Sequence, residues 1–84
     1  MFKTKDKCYK VHKITHRIEC VNNEPKVYTV MSTDINGLVL LYNNLNVVFD
    51  NSGNVINAPP SYGKNASNWW DHKLVKIEDY YANN

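Results

Sequence analysis

Cys8, His12, His16 and Cys20 recur every four residues, and thiolate and imidazole are the donors that zinc prefers. On a helix, neighbours four apart share a face. The outer pair would still stand about 18 Å apart along the axis, so one helix gathers no complete set. On a strand, successive members lie about 13 Å apart and cannot share an ion. The interval also differs from zinc-finger spacing, in which cysteines pair two to four residues apart. We therefore expect no metal site and no cofactor. The same distances argue against a Cys8–Cys20 disulfide, which would have to bridge about 40 Å on one strand. They argue equally against a thiol activated by His12 or His16. Asp71 and His72 offer a base and its orienter, but adjacent strand residues point to opposite faces. Asp50, Ser52 and Asn54 have the flavour of a calcium loop without its glycine position or distal glutamate. No phosphate loop, dinucleotide fingerprint or HExxH sequence is present. The expectation is a protein that is not an enzyme.

Two other groups of residues suit binding. Trp69 and Trp70 are adjacent, so in an extended segment one ring enters the core and the other points outward. Tryptophan and tyrosine are frequent interface anchors. With Tyr62 on the preceding loop and Tyr80 and Tyr81 near the C-terminus, they make the expected partner-binding set. The structural alternative is that one tryptophan caps the core and the other lies flat over the sheet. The second group is cationic. Lys3, Lys5, Lys7, Lys13 and Arg17 are all odd-numbered, and an extended segment projects them to one side. Residues 1–20 carry a net charge of +4, residues 21–63 carry −2 and residues 64–84 carry zero, within an overall +2. A basic arm of this kind steers an acidic protein partner. It also suits a phosphate backbone, which makes RNA or single-stranded DNA the alternative partner. A single arginine and the lack of an RNP motif weigh against base readout. A lysine-rich edge that blocks aggregation is the structural alternative here.

The elements that must position these groups are mostly strands. Tyr9 to Val21 is rich in β-branched and aromatic residues, which predicts a long first strand with a bulge near Lys13. Val11, Ile14, Ile18 and Val21 also fit helical spacing, but the segment is poor in helix formers. Asn22–Pro25 reads as a turn. Lys26 to Ser32 follows as a second strand of the hairpin, with Tyr28 and Val30 on one face and Val27, Thr29 and Met31 on the other. Thr33 to Leu45 carries Ile35, Leu38, Leu41 or Tyr42, and Leu45 on one helical stripe, which predicts a short helix packed on a sheet. The alternative is a β-meander turning at Asn36–Gly37. Val47–Phe49 and Val55–Ile56 flank Asp50–Asn54 as a hairpin. Asn57 to Asn68 is a loop of about 12 residues, of a length often tied to function. His72 to Glu78 is the last strand, and a polar tail begins at Tyr80.

At 84 residues, with 43% hydrophobic and 21% charged, the chain suits one domain spanning 1–84, with a basic arm over 1–8 and a tail over 80–84. The longest apolar run, Leu38–Tyr42, is far short of the roughly 20 residues of a membrane span. The charged start leads into no apolar segment, so no signal peptide is expected, and two cysteines suit a reducing cytoplasm. Thirteen asparagines, and nine lysines to one arginine, suggest an AT-rich genome. The expected fold is α+β, with four or five antiparallel strands and one short helix, or else an all-β meander. In size, in the run from Tyr28 to Ile56 (YTVMSTDINGLVLLYNNLNVVFDNSGNVI) and in its lack of a catalytic set, the chain resembles small accessory proteins of AT-rich bacteriophages. These include anti-defence and host-takeover factors such as anti-CRISPR proteins. The resemblance implies stoichiometric binding that blocks a host or defence protein. Self-association through an edge strand is a third expectation, separable by light scattering.

Overall fold

The computed structural model describes residues 1–59 and 68–82. Among these residues eight strands and one helix follow in order. They are β1 (Lys7–His12), β2 (Cys20–Val21), β3 (Glu24–Pro25), β4 (Tyr28–Thr33), β5 (Val39–Leu41), β6 (Asn44–Phe49), β7 (Val55–Asn57), β8 (His72–Lys76) and α1 (Ile77–Ala82). Six strands form one antiparallel sheet in the order β7-β6-β5-β4-β1-β8, and β2 and β3 form a separate two-stranded ribbon. The chain is thus mostly antiparallel β with one short helix, richer in strands than the four or five expected.

Two turns of one design shape the meander. Asp34-Ile35-Asn36-Gly37 and Asp50-Asn51-Ser52-Gly53 each begin with an aspartate whose Oδ1 accepts two backbone N–H groups, from Asn36 and Leu38 in one and Ser52 and Asn54 in the other. Each ends on a glycine in the left-handed region, φ 79° at Gly37 and 89° at Gly53. Aspartate closes the turn locally and glycine adopts the positive φ without a Cβ clash. This corrects the helix expected over Thr33–Leu45, where the turn at Asn36–Gly37 leads into β5 and β6. Ile35, on the supposed helical stripe, is fully exposed at the turn tip. The helix lies instead at Ile77–Ala82, where the last strand and the polar tail were expected. Glu78 and Asp79 in its first turn complement the helix dipole.

The inner face of the sheet carries the alternate residues Tyr28 and Val30, Val39 and Leu41, Val47 and Phe49, with Leu74 and Cys8 from the two strands beyond β4. Phe2 and Trp69 pack onto this face. The sheet curls, so that the Leu74 N–H donates to the Gly53 carbonyl at 2.8 Å and joins the β6–β7 turn to the β8 edge. On the outer face, Tyr9 is buried beneath α1, its ring meeting Tyr80 and Tyr81 edge to face at 5.6 and 6.0 Å.

Candidate protein-binding surface

The first strand is shorter than its composition predicts. β1 stops at His12, the last residue paired with β8 through His72, and the chain reverses over Lys13–Arg17. The reversal is stitched by a side chain. His12 Nδ1 accepts the N–H groups of Ile14 and Thr15 at 3.1 and 3.2 Å, and the His12 carbonyl accepts from the His16 N–H at 2.9 Å. His16 takes φ 62°, and the His12 N–H donates to the Arg17 carbonyl. Ile18 then bridges back to Val11, and the Glu19 N–H donates to the Lys10 carbonyl at 3.0 Å. A long strand with a bulge at Lys13 is therefore replaced by a closed loop.

Next to that loop stands the tryptophan turn. Trp69 is 6% exposed and is held edge to face by Tyr28 at 5.2 Å and Phe49 at 5.0 Å. Trp70 is 45% exposed. Asn68 fixes the turn, its Oδ1 accepting from the Trp70 N–H and its Nδ2 donating to Asp71. The Lys13 N–H donates to the Asp71 carbonyl at 2.9 Å, so the two turns lie side by side. One end of the molecule thus presents Trp70 on one turn and Ile14, itself 84% exposed, on the other, with Lys13 and Arg17 exposed on the same loop as Ile14.

A buried polar network ties this end to the core. Lys10 is 1% exposed, its Nζ 3.3 Å from Glu19 Oε2 and 4.5 Å from the centre of the Trp69 ring. The Tyr28 hydroxyl donates to Glu19 Oε1, and Lys26 Nζ stands 3.8 Å from the same oxygen. Burial lowers the Lys10 ammonium, and Glu19 opposes that shift. Burial would raise the Glu19 carboxyl, but the Tyr28 hydroxyl and Lys10 outweigh it and hold it below the usual carboxylate range. Tyr28 is pushed far up by burial and by Glu19. Beside the network a cleft of about 400 Å³ opens between β1, the Thr15–Glu19 return and β8. Across its floor His12 and His72 meet edge to face at 5.0 Å. Burial lowers His72, against the raising effect of its bond to the Asn68 carbonyl.

The residues expected to bind fall into separate places. Trp70, Lys13 and Arg17 share the loop end, and Tyr80 reaches it, its hydroxyl 3.4 Å from the His16 carbonyl. Tyr81 is exposed beside Tyr80, hydrogen-bonded to Tyr9 at 3.2 Å. Trp69 is core. Tyr62 lies outside the described residues, with most of the loop expected over Asn57–Asn68. Lys3 and Lys5 sit in a turn at the opposite end of β1, Lys5 at φ 74°, and Lys7 donates to Thr29 Oγ1 on the sheet. A six-residue strand is about 20 Å long, so the basic residues do not make one stripe. The Cys8, His12, His16 and Cys20 series is dispersed likewise. Cys8 is buried, Cys20 is exposed on the ribbon, and both are free thiols. Among the described residues no three His, Cys, Asp or Glu side chains gather around one point, and no helix is long and apolar enough to cross a membrane.

The chain matches no known protein family, no characterised protein and no solved structure. Its site must stand on geometry. Sequence reasoning missed Lys10, Glu19 and Ile14 as parts of it. The one available signal was the inner-face alternation Cys8-Lys10-His12, which sets a lysine among core positions.

Proposed function

We propose that the protein is a non-enzymatic binding module that occupies an apolar, acidic surface on a partner protein and acts stoichiometrically. The carrying observation is Trp70, half exposed on a turn whose backbone is fixed by Asn68 and whose neighbour is locked in the core. A rigid aromatic anchor costs little entropy to dock, and anchors of this type dominate interface energetics. Lys13 and Arg17 beside it favour a partner bearing carboxylates and speed its approach. Blocking a host or defence protein, as the phage accessory proteins resembled by the sequence do, is the mode this surface suits.

Capture from lysate of the source cell or its host, with nuclease present, tests the proposal. A stoichiometric protein retained by the wild type and lost with Trp70→Ala supports it. Because Trp70 packs outside the core, that variant should keep its fold, within about 0.5 kcal/mol of the parent. Capture unchanged by Trp70→Ala in a folded protein refutes it. Capture that disappears with nuclease transfers the surface to RNA or single-stranded DNA, with Trp70 stacking on bases and Arg17 on phosphate.

A further inference from the structure

The cleft beside Trp70 has a donor set of its own. Among the described residues Arg17 makes no ion pair, and its guanidinium is free for a ligand. The Thr15 hydroxyl oxygen accepts the Arg17 N–H at 3.3 Å, which leaves its own proton to donate. His12 accepts two backbone N–H groups at Nδ1, so the neutral ring carries its proton on Nε2. Lys10, nine-tenths buried and more, lines the same space. The opposing charge is Glu19, and it is already committed to Tyr28 and Lys10, with Lys26 alongside. Cations outnumber the one carboxylate lining the cleft. Asp71 bonds to Asn68 and is not among the lining side chains.

We infer that this cleft is a receptor for a single oxyanion, a carboxylate or a phosphate monoester, gripped by Arg17, Thr15 and His12. Guanidinium, hydroxyl and imidazole N–H are complementary to a group with two or three acceptor oxygens, and Arg17 can take it bidentately. The volume of about 400 Å³ admits the anion with the side chain that bears it. The inference rests on the binding-module reading for the source of the anion, an acidic or phosphorylated residue of the partner, and not for the pocket itself. His72 adds a proton dependence. Its Nδ1 faces the Asn68 carbonyl, so protonation places a new donor on Nε2. The groups facing it are His12, Lys10 and Glu19. Lys10 opposes that proton and Glu19 favours it, and a bound anion adds to the favourable side. Binding therefore tightens as pH falls.

Titration of the full chain with sodium sulfate at constant ionic strength, followed by ¹H–¹⁵N NMR, tests this, since sulfate stays a dianion throughout. Saturable shifts are expected at the Thr15, Arg17 and His72 signals, with tighter binding at about pH 6 than at about pH 8. Arg17→Gln should weaken binding at least about tenfold, while Lys3→Gln, at the far end of β1, changes it less than about twofold. Non-saturating shifts up to about 100 mM, or equal effects of the two variants, overturn the inference. N-acetyl-aspartate amide and N-acetyl-phosphoserine amide then separate the sources, the tighter binder naming the residue type. Trp70→Ala should leave sulfate binding intact. If sulfate fails to bind while Trp70→Ala still abolishes partner capture, the oxyanion site falls and the binding module stands. If sulfate binds as described while capture ignores Trp70, the pocket stands and the module falls.

Discussion

Replacing Glu19 by glutamine keeps the shape of the buried network and removes its only carboxylate. Lys10 is then left 1% exposed against the face of Trp69 with no counter-charge. Breaking a buried pair from one side costs about 3–5 kcal/mol. Two features reduce that. The Glu19 side chain is 25% exposed, and the glutamine carbonyl still accepts one of the two hydrogen bonds from Lys10 and Tyr28. The expected loss is about 2–3 kcal/mol. An 84-residue domain holds about 4–13 kcal/mol in total, so the fraction lost is large.

Urea denaturation reads it directly. With a slope near 1 kcal/mol per molar for a protein this small, the midpoint should fall by about 2–3 M at neutral pH. Lys10→Met should cost less, about 1 kcal/mol, because the Glu19 left behind retains Lys26 and partial solvent. The double variant should return to within about 1 kcal/mol of the parent, since removing both charges leaves nothing uncompensated. pH supplies a second reading. The Glu19 carboxyl is held below its unfolded value of about 4.3, so its contribution is present above that pH and is lost as pH falls through the folded value. Glu19→Gln should remove this part of the acid loss. A stability for Glu19→Gln within about 0.5 kcal/mol of the parent, or a cycle with no coupling, would refute the account of a compensated buried lysine.

Three further outcomes follow from single positions. A Cβ on Gly53 would stand 2.0 Å from the Leu74 carbonyl oxygen at φ 89°, whereas one on Gly37 meets Asn51 Cβ at 3.4 Å, so Gly53→Ala should cost at least about 2 kcal/mol and Gly37→Ala about 1 by thermal melting. His72 is held below its unfolded value of about 6.5, so its contribution is present above that pH and lost as pH falls through the folded value; melts at about pH 5 and pH 7.5 should differ less in His72→Gln than in the parent. Burial pushes the Cys8 thiol up to about 12, so its contribution is present below the unfolded value of about 8.5 and lost as pH climbs toward 12. Cys8→Ala should flatten that alkaline loss, and iodoacetamide should modify exposed Cys20 and spare Cys8 in the native protein.

What the sequence disclosed was chiefly its turns and its strand faces. Asp50–Asn54 was legible as a hairpin turn, and Asn36–Gly37 was legible only as the alternative to a helix; in both the aspartate bonds are local and the glycine requirement is steric. Tyr28 and Val30 were placed on one face by alternation, and that face is the core. The helical stripe over Ile35–Leu45 misled because periodicity counts apolar residues without knowing that Ile35 and Leu45 are exposed in the folded chain. The reversal after His12 was hidden for another reason. An imidazole accepting two backbone N–H groups is no part of any propensity, and β-branched composition on both sides of it reads as one strand. Without the reversal, Lys10 and Glu19 lie about 30 Å apart on an extended chain, so the pair was invisible too.

That pair explains why the Lys13–Arg17 loop is wired into a core. If methionine and glutamine at positions 10 and 19 fold nearly as well, stability alone does not account for the charges. A methionine packs tolerably in several loop registers. One carboxylate accepting from both Lys10 and Tyr28, with Lys26 nearby, permits a single position for the segment that carries Ile14 and Arg17. A loop fixed before binding loses less entropy on docking than one ordered by its partner. The double variant should therefore keep its midpoint yet lose amide exchange protection at Arg17–Glu19, with β4 and β5 unchanged. Protection retained there would mean that the backbone bonds from Glu19 to Lys10 and from His12 to Arg17 hold the loop alone, and the network would be reduced to a way of burying a lysine.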